Sequence, residues 1–356
     1  MKILFAFNLF YYDSHELNCA YYFFVDTCLK MGHQVQIVDF GTLNRTSGQR
    51  SISSLVMSYV TNYKPDLLFT VPSGRELSKS LLFIIKNFTN TVTLAWNSDD
   101  DRRWENYSST YVDLYDLMIT TYENIFDKAR KEGHNNVLLS QWASNPDYNK
   151  PIKGLSKKYD VAFVGVAYGD RPNYIQHLIN KGFNVKVAGK NWDKYISDSD
   201  STLSQQDMSL IYNQSKIALV FSGGYEKGKQ IKGRVFETPA YKVCTFIEDT
   251  PGLEKFYIDK KEVVSFTDKN DLVEKLKLYL EDDELREKVA QNGYKKTNTF
   301  NTYQKRMEDI FIEVGKIQKK NNIISRWLGR ILLKISIESA RIYSLSKKII
   351  KKLKFI

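Results

Sequence analysis

Arg234 and Glu237 stand three residues apart in the segment KGRVFETPA, residues 232–240. That spacing places both side chains on one face of a helix. An arginine there offers a fork of donors to a pyrophosphate, and a glutamate accepts hydrogen bonds from two ribose hydroxyls. The same spacing also makes an ordinary surface ion pair, worth roughly a few tenths of a kcal/mol. On spacing alone the ion pair is the simpler reading. Just upstream, FSGG at 221–224 places Ser222 and Gly223 at a strand end, with Lys227, Lys229 and Lys232 following. In GVAYGDRP, residues 165–172, Gly165 closes a strand and lets a ligand approach the backbone, while Arg171 opens a helix whose N-terminus favours an anion. Pro172 suits the first turn of a helix, so a plain strand–helix connection also fits. No GxGxxG is present, which excludes a dinucleotide fingerprint.

Carboxylates occur as a run at Asp99, Asp100 and Asp101, directly after an apolar strand. A carboxylate at such a position can take the proton of a substrate hydroxyl. His15 and Asp13, in the loop after the first strand, compete for that role, and N-capping of the following helix is the structural alternative for the run. His33, His134 and His177 have no clustered partners and read as structural. Tyr11, Tyr12, Trp96 and Trp104 suit stacking on sugar rings, although core packing is the commoner fate of such side chains.

The elements that must position these residues alternate. Strands are expected at Lys2–Phe7, Gln34–Phe40, Asp66–Val71, Thr91–Trp96, Leu117–Thr121 and Val137–Gln141, with helices near 15–31, 49–62, 75–88 and 122–132. The residues around Asn145-Pro146 and Pro151–Gly154 break the pattern and read as a linker. A second series follows, with strands at Val161–Gly165, Val185–Gly189, Ile217–Phe221, Val243–Ile247 and Val263–Phe266. Its helices fall near 171–181, 204–214, 233–241, 252–257, 269–281, 284–292 and 301–318. Strand–helix alternation of this kind predicts parallel sheets covered on both faces, that is, an α/β chain with two Rossmann-like domains. The expected division is 1–150, 151–320 and a tail at 321–356. Ligands of open α/β sheets bind beyond the strand C-termini, so the expected active site is a cleft between two facing domains.

With 356 residues, 42% hydrophobic and 26% charged, the chain is long enough for two folded domains and global disorder is excluded. Three cysteines, none in a CxxC, make no disulfide framework and point to a reducing, cytoplasmic setting. The N-terminal apolar run is too short for a signal peptide, and no stretch is long and apolar enough to span a bilayer. The formal net charge is +11. Residues 321–356 carry nine Lys/Arg against the single acid Glu338, a net +8 that leaves +3 for the first 320 residues. Ile323, Ile324, Trp327, Leu328, Ile331, Leu332 and Ile335 recur at helical spacing beside Arg326, Arg330 and Lys334. A basic amphipathic helix of this kind suits an anionic membrane surface, ahead of packing on protein and of nucleic acid.

The 232–240 segment resembles the R-x-F-E-x-P-A block of CgeB-like glycosyltransferases of the group 1 type. YDVAFVG at 159–165, VAGKNW at 187–192, PGLEKF at 251–256 and NGY at 292–294 are similar to further segments of that family in the same order. WNSDD at 96–100 and SQWASN at 140–145 resemble N-terminal regions of similar bacterial polysaccharide enzymes. The resemblance covers roughly residues 90–310 and is strongest at 217–300. It implies the GT-B fold, an N-terminal acceptor domain and a C-terminal domain for a nucleotide-sugar donor. It further implies that Glu237 holds the ribose, that Arg234 with Lys232 or Arg171 holds the diphosphate, that Gly165, Ser222 and Gly223 allow close approach, and that Lys190 to Trp192 border the base. The implied donor is UDP- or GDP-linked, with no separate cofactor and no metal, because cations and helix N-termini offset the leaving charge. Asp99, Asp100 and His15 are the catalytic candidates. A metal-binding DxD of single-sheet glycosyltransferases is the less favoured reading of the acidic run.

The sequence departs from the family in places. An acid often lies eight residues before the ribose-binding Glu, where this chain has Lys229; a His-Thr-Tyr near the domain end is Asn301-Thr302-Tyr303. The expected function is sugar transfer to a glycan or lipid-linked acceptor in bacterial surface polysaccharide synthesis, at the inner face of the membrane. The alternatives are an inert glycosyltransferase-like scaffold of an assembly complex, kept open by Lys229 and Asn301, and a nucleic-acid-binding protein suggested by charge alone.

Overall fold

The computed structural model describes residues 1–11, 16–46, 49–196, 203–223 and 228–319. Tyr12, Asp13 and His15, Lys227, and the tail at 321–356 lie outside the described residues. The chain forms two compact units: Met1–Gln141 with the chain from Met307 onward, and Trp142–Arg306. The division falls inside the helix Tyr303–Lys316.

In the first unit, strands β1 (Lys2–Phe7), β2 (Gln34–Asp39), β3 (Leu67–Val71), β4 (Val92–Asn97), β5 (Leu117–Thr120) and β6 (Val137–Leu139) form one sheet in the order β2-β1-β3-β4-β5-β6. Every pairing is parallel. Parallel strands buried on both faces need apolar residues at every position, which is why KILFAF and VTLAWN read as unbroken runs. Alternate residues still go to opposite faces. Leu4, Ala6, Leu68, Ala95 and Met118 enter one core beneath Trp104 and Tyr115. On the other face Phe24 packs against Phe69 and Trp96, and Phe5 against Phe69, with ring centroids about 5 Å apart.

In the second unit, β7 (Tyr159–Val164), β8 (Val185–Ala188), β9 (Ser215–Val220), β10 (Cys244–Glu248) and β11 (Val264–Phe266) pair in the order β11-β10-β9-β7-β8, again all parallel. One face carries Phe163, Val187, Leu219, Phe246 and Phe266; the other carries Val164, Ala218, Tyr212 and Tyr241. In both units the chain's first strand lies second in the sheet, and the next connections run to opposite sides of it. That places a topological switch point between β1 and β3 and another between β7 and β9, where α/β sheets open a crevice at their strand C-termini.

All eleven expected strands are present, each within about two residues of its expected ends. Two helical stretches were not anticipated: Phe40–Thr46, and the run of short turns from Asp100 to Leu114. The helix expected at 284–292 continues to Phe300 through Gly293. A Cβ at Gly293 would sit 2.3 Å from the Glu262 carbonyl oxygen, so this glycine lets the helix pass close to backbone rather than ending it.

The segment read as a linker is a pinned strap. Ser144 N–H donates to the Asn301 carbonyl (2.9 Å), and Tyr303 N–H donates to the Ser144 carbonyl (2.9 Å). Asn149 Nδ2 donates to the Tyr241 hydroxyl (2.8 Å), and Ile152 N–H to Asn213 Oδ1 (2.7 Å). Asn301-Thr302-Tyr303 is buried in this arrangement.

Candidate functional site

The switch point of the second unit gathers the residues singled out at 165–171 and 232–234. Gly165 N–H bonds the Ala188 carbonyl (2.9 Å) and its own carbonyl accepts Trp192 Nε1–H (2.7 Å). Gly189, at φ +128°, would place a Cβ 2.2 Å from that carbonyl oxygen, so only glycine lets the ends of β7 and β8 close together. Trp192 is buried against Phe163. Lys190 is exposed, with its carbonyl accepting Ala167 N–H (2.9 Å).

Tyr168, absent from the sequence-based site, is the hub of the loop. Its hydroxyl donates to the Gly223 carbonyl (3.0 Å) and accepts from Arg171 Nη2 (2.6 Å) and Lys232 Nζ (2.9 Å). Arg171 also donates to the Val166 carbonyl (3.0 Å), and its guanidinium lies 3.8 Å above the Tyr168 ring centre. Arg171 thus ties the loops after β7 and β9 together, so its fork already serves the protein. The only hint in the sequence was an aromatic bracketed by glycines in GVAYGD.

A cavity of about 210 Å³ opens here. Its walls are Phe163, Val164, Leu219, Val220 and Phe221, and its polar lining is Gly165, Tyr168, Arg171, Lys232 and Arg234. Among the described residues its lining carries the cations Arg171, Lys232 and Arg234 and no acid, which makes it a place for an anion. Below typical ligand-pocket volumes of roughly 300–1,000 Å³, it suits a diphosphate-sized group rather than a whole nucleotide sugar.

Glu237 is 4% exposed in the first turn of the helix Arg234–Ala240, ion-paired with Arg234. The pair expected on a surface is therefore half sunk, with the arginine still reaching the cavity. A Cβ at Gly233 would come within 3.1 Å of Glu237 Oε1, so the glycine keeps room beside the carboxylate.

Ser222 and Gly223 do not line the cavity. Their N–H groups both donate to Glu248 Oε2 (2.9 and 3.1 Å), and Ser222 Oγ donates to the Glu248 carbonyl (2.9 Å). Glu248 ends β10, which runs beside β9 with Ile247 opposite Val220, and so reaches the turn directly. Lys229 pairs with Glu248 Oε1 at 3.3 Å.

In the first unit, Asp99 is exposed at the N-cap of a short helix and makes no side-chain capping bond. Asp100 is fully buried. Burial pushes its carboxyl up to about 6, while the Ser108 and Thr120 hydroxyls and the Arg103 charge pull the other way. Ser108 Oγ donates to Oδ1 (2.5 Å). Trp96 and Trp104 are core side chains, 0% and 2% exposed, and so unavailable for stacking on a ligand; Tyr11 is exposed. His33 packs edge-on against Phe311, and His134 Nδ1 lies 3.1 Å from Asp113.

A family described as glycosyl transferase-like matches residues 171–311. The spore protein CgeB of Bacillus subtilis (strain 168) is 22% identical over 222 residues, spanning 56% of this chain and 68% of that protein. Among solved structures, Anabaena Alr3699/HepE in complex with UDP and glucose superposes with a TM-score of 0.59 at 12% identity, over 88% of this chain and 99% of that one. The T4 phage β-glucosyltransferase superposes with a TM-score of 0.57 at 15% identity, over 89% and 100%. With its two parallel sheets and these superpositions, the chain has the GT-B glycosyltransferase fold, and over residues 171–311 it is similar to the glycosyl transferase-like family.

Proposed function

We propose that the chain transfers a sugar from a UDP- or GDP-linked donor to a glycan or lipid-linked acceptor in bacterial surface polysaccharide synthesis. One observation carries this reading: the cavity at the β7/β9 switch point is lined by Arg171, Lys232 and Arg234, with the buried Glu237 on the adjoining helix. Arg234 and Lys232 offset the charge of the diphosphate. Arg171, already engaged by Val166 and Tyr168, adds its field and fixes the loop. Glu237 accepts the ribose hydroxyls. The neighbours solved with UDP or UDP-glucose support a nucleotide sugar as the partner.

The acceptor binds the first unit, where Asp100 removes the proton of the attacking hydroxyl. A carboxyl raised to about 6 is ionised at neutral pH yet basic enough for this task. As the acceptor oxygen bonds to the sugar's anomeric carbon, the bond to the diphosphate breaks, and the cations take up the developing charge in place of a metal ion. No helix among the described residues is long and apolar enough to cross a membrane. The basic segment 321–356 holds the enzyme at the anionic inner membrane face.

A thermal-shift screen of UDP, GDP and their sugars, with and without EDTA, tests the reading. Stabilisation by one nucleotide family that survives EDTA is expected; a shift by none of them contradicts it. Deleting 321–356 should release the protein from anionic vesicles, and undiminished co-sedimentation would refute the anchor.

A further inference from the structure

Buried polar atoms without partners gather at the strand C-termini of the first unit. Asn97, the last residue of β4, is 1% exposed, and neither its Oδ1 nor its Nδ2 has a hydrogen-bond partner. Glu76 is 5% exposed; its Oε1 accepts the Ser73 N–H (3.2 Å) and hydroxyl (2.5 Å), while its Oε2 has no partner. Arg103 donates through Nη1 to the Pro72 carbonyl (2.7 Å) and leaves Nη2 without a partner. Asp100 Oδ2 is in the same condition.

The topology brings these groups to one place. Thr70 pairs with Ala95, so Pro72, just past β3, stands beside Asn97 at the end of β4. Asn97 itself pairs with Thr120, whose hydroxyl acts on Asp100. Arg103 lies 4.4 Å over the Tyr107 ring, and the charges of Arg103 and Glu76 both act on the Tyr107 hydroxyl. Asn8 Nδ2 donates to Ser73 Oγ (2.8 Å), which extends the cluster to β1 and the switch point.

Buried polar groups in folded proteins are nearly always paired, so several at one strand end mark an incomplete site. The unmet set combines acceptors on Glu76, Asp100 and Asn97 with donors on Asn97 and Arg103. A metal cation would use the acceptors but would be repelled by the Arg103 guanidinium and gain nothing from the amide N–H. A simple anion would meet two carboxylates. A hydroxyl both donates and accepts, and neighbouring hydroxyls on one ring satisfy both kinds of group at once.

We propose that Glu76, Asn97 and Arg103 form, with Asp100, a subsite for vicinal hydroxyls of a sugar ring. It rests on the reading of the first unit as the acceptor side and adds the groups that hold the acceptor beside the base. Asn97 is a binding residue with no task in the empty fold. Replacing an unpaired buried amide by an apolar side chain of similar size is neutral or stabilising, whereas a structurally bonded amide would be missed.

The test uses the full chain. Methyl glucoside and methyl galactoside, which present different vicinal diols, are titrated by saturation-transfer NMR into wild type, Asn97→Leu and Arg103→Lys. UDP thermal shifts are recorded on the same samples. The expected result is binding of at least one glycoside by wild type, at least tenfold weakening in both variants, an unchanged UDP shift, and Asn97→Leu melting no lower than wild type. A lower melting temperature or failure to fold for Asn97→Leu would overturn the proposal by showing a structural role. Equal glycoside binding in all three proteins, or none in wild type while UDP still stabilises it, would also overturn it. Glycoside binding that follows the expected pattern without any UDP shift would keep the subsite and remove the donor reading.

Discussion

The two switch points have the same topology but use their polar groups in opposite ways. In the second unit the cavity's cations are organised by protein partners: Tyr168 takes Arg171 and Lys232, and Arg234 takes Glu237. Even the amides of Ser222 and Gly223 are occupied, by Glu248. In the first unit, Asn97, Glu76, Asp100 and Arg103 keep buried side-chain atoms without a hydrogen-bond partner. A site for an anion can be held ready by internal counter-charges and hydroxyls, because the ligand's charge adds to an existing field. A site that must bind a neutral hydroxyl and ionise it has no such help. It keeps its hydrogen-bonding capacity free, at a cost of about 1–3 kcal/mol per unpaired group.

The sharpest way to break this contrast is at Asp100. Asp100→Asn should lower transfer by about 10²- to 10⁴-fold, the usual worth of a general base, while nucleotide binding is unchanged. Full activity in a coupled diphosphate-release assay would move the base elsewhere. The same variant has a stability signature. The folded-state carboxyl titrates at about 6, above its ordinary range, so the fold favours the protonated form. That contribution is complete below about pH 4 and is lost as pH rises through 6. Wild type and Asp100→Asn should therefore be nearly equally stable at pH 4. The variant should gain up to about 3 kcal/mol over wild type at pH 8. A pH-independent difference in urea midpoints would contradict the buried, raised carboxyl.

A second, smaller effect is expected at Tyr168. Tyr168→Phe removes the hydroxyl on which the Gly223 carbonyl, Arg171 and Lys232 converge, and should weaken nucleotide binding about tenfold with about 1–2 kcal/mol lost from the fold. Unchanged nucleotide affinity by calorimetry would mean that the hub does not organise the cations.

Smallest of the three is Lys229→Ala. Its partner Glu248 stays held by two backbone N–H groups, and the pair is partly exposed, so a change within about 0.5 kcal/mol in stability is expected. A large loss of nucleotide binding would show that Lys229 has a task at the donor and not only beside Glu248.

The sequence disclosed the sheets because central strands such as LLFTV and SKIALV are largely apolar runs. It disclosed less where the periodicity is irregular. WENYS, residues 104–108, winds as a wide π-type turn and 112–114 as a 3₁₀ turn, so no 3.6-residue pattern marks the stretch that carries Arg103, Tyr107 and Ser108. The helix expected near 284–292 runs on to Phe300, because the close approach of Gly293 to Glu262 cannot be seen in one segment alone. The residues around the cavity were legible as cations near strand ends. Their state was not, since Glu248 lies 26 residues beyond Ser222 and the partners of Arg171 are set by loop geometry. Trp96 and Trp104 show the same limit: residue type suggested a sugar platform, and burial on the two faces of the first sheet excludes it.

The most direct test of the central claim, that the second unit holds a nucleotide diphosphate, is calorimetric titration of UDP and GDP into wild type and Glu237→Ala. Micromolar binding of one nucleotide by wild type, weakened about 100-fold or more in Glu237→Ala by loss of the ribose hydrogen bonds, is the predicted result. Equal affinity in the two proteins, or binding of neither nucleotide by wild type, would contradict it.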